Sequence, residues 1–105
     1  MAQNDLPAYG VGRLPEATRQ IQELGRNAVE LGLATEFAEA MKTIFAKLQS
    51  KPSEWGDPEY RLKKKGSTVY HGTHSDLIVR YAVFELEQKV LLLAVGPLPT
   101  SPLAS

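Results

Sequence analysis

The hydrophobic period of this chain changes once, between Lys51 and Pro58, and that change limits the folds open to it. Before it, apolar residues recur every three or four positions; after it, they alternate or run on over strand lengths. Ile21, Leu24, Ala28 and Leu31 share one helical face. They follow Pro15, which suits a first helical position because proline has no N–H to lose there. Gly32 readily takes the left-handed conformation that ends a helix. Thr35 is a candidate N-cap for a second helix with a Phe37, Met41, Ile44, Phe45 and Leu48 stripe. Glu36 and Glu39 lie near the positive end of its dipole and Lys47 near the negative end. With about three residues between them, the two helices are predicted to pack as an antiparallel hairpin. Gly25, inside the first helix, costs about 1 kcal/mol against alanine and points to close helix packing.

Beyond Pro58 the sequence predicts strands near 60–62, 68–71, 77–84 and 89–95, with turns at 65–67, 72–75 and 85–88. In the third strand Leu77, Val79, Tyr81 and Val83 share one face; Ile78, Arg80, Ala82 and Phe84 share the other. The last strand is apolar on both faces and is expected inside the sheet. The expected class is α+β: an N-terminal helical hairpin packed on a small antiparallel β-sheet. One domain over residues 1–96 is expected, with 1–13 as a flexible start or an edge strand near 8–11. Residues 97–105, with their three prolines, read as an extended tail.

Composition removes several function classes. The chain has no cysteine, which excludes disulfides, thiolate zinc sites and thiol catalysis. No apolar run approaches the roughly 20 residues of a membrane span, and the first residues lack the pattern of a signal peptide, so a cytoplasmic protein with no membrane partner is expected. Twelve basic and twelve acidic residues cancel, which argues against a general nucleic-acid binder but leaves room for a local patch. Lys63, Lys64 and Lys65 form such a patch, read either as a solvated turn that blocks edge pairing or as a contact for phosphate or an acidic segment. Arg80, in an otherwise apolar strand, must reach solvent, a cleft or a carboxylate; Glu59, Glu85 and Glu87 are the candidates. His71 and His74 have only Asp76 nearby, so no metal and no cofactor is expected, while acid–base chemistry stays open. Trp55 in its Pro/Gly loop reads as a cap on the core or as a partner-binding anchor.

A helical hairpin, a Pro/Gly connection and a meander ending in a strong apolar strand resembles the RelE/ParE toxin superfamily of type II toxin–antitoxin (plasmid stabilisation) systems. The stretches that carry the likeness are Lys51-Pro52 with Asp57-Pro58-Glu59-Tyr60-Arg61-Leu62, then Leu77-Ile78-Val79-Arg80-Tyr81-Ala82-Val83, then Lys89-Val90-Leu91-Leu92-Leu93-Ala94-Val95-Gly96. The resemblance implies a toxin with a cognate antitoxin as partner, acting on mRNA at the ribosome or on gyrase. For a metal-independent mRNA endonuclease (an mRNA interferase) it implies RNA binding by cations, here Arg61, Lys63, Lys64 and Lys65. Arg80, His71 and Tyr81 would then be the catalytic set. The position where the family's nucleases place an arginine early in the third strand holds Ile78, with Arg80 two residues later on the same face. Gly96-Pro97-Leu98-Pro99 stands where those nucleases continue with basic residues. The alternative is a non-catalytic or gyrase-directed interaction module on the same fold.

Overall fold

The computed structural model describes residues 9–104. The chain runs β1 (Gly10–Arg13), α1 (Pro15–Glu30), α2 (Ala34–Ser50), a single helical turn α3 (Pro52–Trp55), β2 (Asp57–Arg61), β3 (Ser67–His74), β4 (Leu77–Phe84) and β5 (Lys89–Pro97). A 3-10 turn, Pro102–Ala104, follows. The sheet order is β1-β5-β4-β3-β2: an antiparallel meander with β1 added parallel to β5. The helices cover one face, as the α+β expectation required, and the apolar β5 lies inside the sheet between β1 and β4.

Local chemistry explains most of the boundaries. Pro15 occupies the first turn of α1, and Gly32 takes φ +74 to reverse the chain into α2. The hairpin brings the Phe37 ring to 3.5 Å from where a Cβ on Gly25 would stand, the close packing that this glycine signalled. Ala17, Leu24 and Ala28 of α1 and Ala40, Met41, Ile44 and Leu48 of α2 are buried against Leu77, Val79, Tyr81, Val83, Val90, Leu92 and Val95. Each fully buried Ile or Leu among them stabilises by roughly 1.5–3 kcal/mol.

Four sequence expectations need correction. α2 starts two residues early, with Leu33 at the N-cap position, so Thr35 lies within the helix and provides no cap. Leu31 follows the end of α1 and is 50% exposed, because the helix stops before its turn can face the sheet. The turn expected at 72–75 shrinks to Ser75 and Asp76, with Ser75 at φ +58, because Gly72 to His74 extend β3. The tail expected to be extended is folded: the Leu98 N–H donates to the Asp76 carbonyl (2.8 Å), the Ser101 hydroxyl donates to the Asp76 carboxylate (2.7 Å), and Leu103 enters the core. The prolines stop a helix or ladder but leave this turn open. The edge strand β1 runs from Gly10 to Arg13, two residues beyond the expected 8–11, and residues 1–8 lie outside the described part.

An aromatic stack fastens α3 to the sheet. Trp55 lies parallel to Tyr81 at 5.6 Å, and Tyr81 lies parallel to Tyr70 at 5.5 Å. The Tyr81 hydroxyl donates to the Pro52 carbonyl (2.6 Å) and accepts from the Gly56 N–H (3.0 Å). Trp55 is thus the core cap of the two readings. Its ring lies so close to Gly72 that an added Cβ would stand 2.9 Å from it. A second clamp is the Glu85 carboxylate, which accepts from Tyr9 (2.7 Å) and from Ser53 (2.5 Å).

Gly72→Ala is expected to push Trp55 out of the stack and to cost about 1–3 kcal/mol. The chain's single tryptophan makes fluorescence-monitored urea unfolding a direct readout. The hydroxyls of Ser53 and Tyr9 hold the Glu85 carboxyl below its usual 4.5. Stability from this clamp is therefore complete above that value and is lost as pH falls toward the depressed one. The hydrogen bond to Glu85 raises the Tyr9 phenol to about 12, so its share is complete below 10 and is lost as pH rises through about 12. Glu85→Gln should flatten the acid limb of a plot of unfolding midpoint against pH; an unchanged limb would assign the acid loss elsewhere.

Candidate functional site

The strand period sends Tyr81 and Arg80 to opposite sides of the sheet, and their environments differ accordingly. Tyr81 is wholly buried on the helix side, where burial pushes its phenol up to about 12. Its hydroxyl is engaged by backbone, so the catalytic role expected for it gives way to a structural one. Arg80 projects from the face away from the helices. There it stands beside His71, its register partner across β3 and β4.

Both side chains converge on Glu59. Arg80 Nε and Nη2 donate to Glu59 Oε1 (3.0 and 2.9 Å), and His71 Nδ1 lies 3.0 Å from Glu59 Oε2. The His71 nitrogen is shielded from solvent, but its approach is poorly aligned for a hydrogen bond. The contact is therefore one of proximity, and it becomes an ion pair when the imidazole is protonated. On the other side of the ring, Nε2 is 4.0 Å from an Asp57 carboxylate oxygen. Of the three carboxylates considered for Arg80, the structure selects Glu59.

A bulge makes this possible. The β2–β3 register shifts between Pro58 and Tyr60, which inserts Glu59 opposite no β3 residue and aims it over His71. Gly56, just before β2, has no room for a side chain: an added Cβ would stand 2.5 Å from the His71 carbonyl oxygen. The sequence offers Glu59 as a partner for Arg80 but not the bulge, because an inserted strand residue leaves no compositional mark, and it gives Asp57 no role at the site.

The expected cationic cluster does not join this site. Arg61 pairs in register with Thr68, and Lys63, Lys64 and Lys65 form the exposed turn into β3. Ser67, where β3 begins, lies four residues from His71, or about 13 Å along a strand. Lys64 is ion-paired with Glu87 of the β4–β5 turn. The two histidines also part. His71 and His74 both lie in β3 three residues apart, so they point to opposite faces. Among the described residues, no group of three His, Cys, Asp or Glu could hold a metal ion. Ile78 lies on Arg80's face, 37% exposed.

This chain path is shared with known structures. A chain of the RelBE2 toxin–antitoxin complex of Mycobacterium tuberculosis superposes with a TM-score of 0.64 at 19% identity, over 89% of this chain and 93% of that one. The ParDE toxin–antitoxin system of P. aeruginosa gives 0.58 at 8% identity, over 87% and 97%. The archaeal RelE–RelB complex of Pyrococcus horikoshii gives 0.54 at 17%, over 90% and 99%. No family model and no curated protein matches the sequence. The fold is therefore the RelE/ParE fold, recognised by its path. No helix among the described residues is long and apolar enough to cross a membrane.

The two neighbours Arg80 and Tyr81 should separate by stability. Arg80 is 52% exposed and Glu59 23%, so solvent screens their pair, and Arg80→Ala should cost under about 1 kcal/mol. Tyr81→Phe leaves the Gly56 N–H and the Pro52 carbonyl without their partner and should cost about 1–3 kcal/mol. Urea denaturation of the two variants checks the order.

Proposed function

We propose that this chain is the toxin-like component of a type II toxin–antitoxin pair and that a cognate antitoxin is its protein partner. The observation that carries this reading is the path shared over nearly the whole chain with structures that are themselves toxin–antitoxin pairs of both RelE and ParE type.

Within that reading, two modes of action separate. A metal-independent mRNA endonuclease would rely on His71 for proton transfer and on Arg80 to face the phosphate, with Arg61, Lys63, Lys64 and Lys65 as RNA contacts. A non-catalytic or gyrase-directed module would act by binding protein. The site geometry supports the second mode. Glu59 already takes up the charge of Arg80, Asp57 sits beside the imidazole, and Tyr81 is enclosed in the core. The lysine turn stands at a different end of β3.

Expression from an inducible promoter, alone and together with any short reading frame found beside its gene, tests both levels. The neighbour's product is expected to copurify with the chain in a fixed ratio, and translated mRNA is expected to stay intact. Failure to copurify would remove the antitoxin-partner reading. Cleavage of translated mRNA that disappears in His71→Ala would restore the endonuclease. If cells arrest with mRNA intact, a gyrase supercoiling assay on the purified chain separates a gyrase-directed toxin from a plain binding module.

A further inference from the structure

We infer that Arg80 and His71 form a carboxylate receptor that Glu59 fills from within, and that the bound partner exchanges one of its own acidic side chains for Glu59. The inference rests on the reading of this chain as one half of a protein pair.

The site already shows which ligand it accepts. Both Glu59 oxygens are in use, Oε1 by two Arg80 nitrogens and Oε2 by the side of the imidazole that solvent does not reach. The occupant is lightly held. It comes from the bulge of β2, an edge strand exposed along its whole length. Its pair with Arg80 is half open to water, where screening leaves such pairs weak. An incoming carboxylate replaces an equivalent contact and shields the arginine further, so exchange costs little.

The surroundings favour a protein segment over a nucleic acid. On this face the register pairs flanking His71–Arg80 are Thr73–Ile78 and Val69–Ala82, and Ala94 faces Arg80 from β5; none carries charge. The nearest ionisable neighbour on β2 is Asp57, which would repel a second phosphate. Ile78 and Tyr60 are 37% and 51% exposed. A single anion among apolar neighbours matches a Glu or Asp set between aliphatic residues. A phosphodiester chain brings a charge at every step and gains affinity from several cations at once.

Two acetylated, amidated pentapeptides, Leu-Val-Glu-Leu-Val and Leu-Val-Gln-Leu-Val, and a uridine pentanucleotide are the probes, titrated against the full chain by NMR. On wild-type protein the Glu peptide should shift the Arg80 side-chain N–H and the His71 ring, and the Gln peptide should not. In Glu59→Gln the Glu peptide should bind severalfold more tightly, up to about fivefold, and Arg80→Gln added to that variant should abolish the gain. Equal binding of the two peptides, no gain in Glu59→Gln, or tighter binding of the pentanucleotide would overturn the inference. If Glu59→Gln loses the wild-type fold, the wild-type titration alone decides. The probes need no antitoxin, so this test can fail while copurification succeeds, and the reverse.

Discussion

The Tyr81 hydroxyl, bonded to Pro52 and Gly56 beneath the Trp55–Tyr81–Tyr70 stack, is the contact on which the rest of the structure depends. It joins the end of the helical half to the start of the strand half. Gly56 immediately precedes β2, so anchoring its N–H sets where β2 begins its pairing with β3. That register places the bulge, and the bulge places Glu59 over His71 and Arg80. A buried bond on the helix side thus positions a polar cluster on the open side. The relative magnitudes agree. Removing the buried hydroxyl leaves two backbone groups unsatisfied, at about 1–3 kcal/mol. The exposed ion pair it positions contributes about 0.2–1 kcal/mol. The latch dominates stability, and the cluster is left free to take part in recognition.

Much of this frame was legible in the residues, for a physical reason. Apolar periodicity reports which side chains need burial, and burial supplies most of the stability. Leu24, Ala28, Met41, Ile44 and Leu48, together with the inward face of β4, could therefore be read directly. The central position of β5 followed from its two apolar faces, and Gly32 marked the hairpin through the one conformation that favours glycine. What escaped were features that periodicity does not encode. The bulge at Glu59, the shared clamp on Glu85 and the docking of Leu103 each depend on residues far apart in the chain. The expected site was legible in part. Arg80, His71 and Glu59 meet, whereas Tyr81 and the lysine turn were drawn in by residue type, and strand parity and distance along β3 remove them.

Parity also explains why one strand serves two ends. Residues 77, 79, 81 and 83 are fixed by core packing, where a lost methylene is felt throughout the interior. Residues 78, 80 and 84 face outward, where substitutions away from special contacts cost little. The outward set is therefore free to differ while the inward set keeps the path. Identities of 8–19% with a nearly full-length shared path are what such a division produces. The path testifies to the inward residues and the open face carries the chemistry, so the Arg80–His71–Glu59 arrangement has to be read on its own terms. On those terms it is a compensated site: its cationic groups already hold an anion, and what it can bind next must offer an equivalent one.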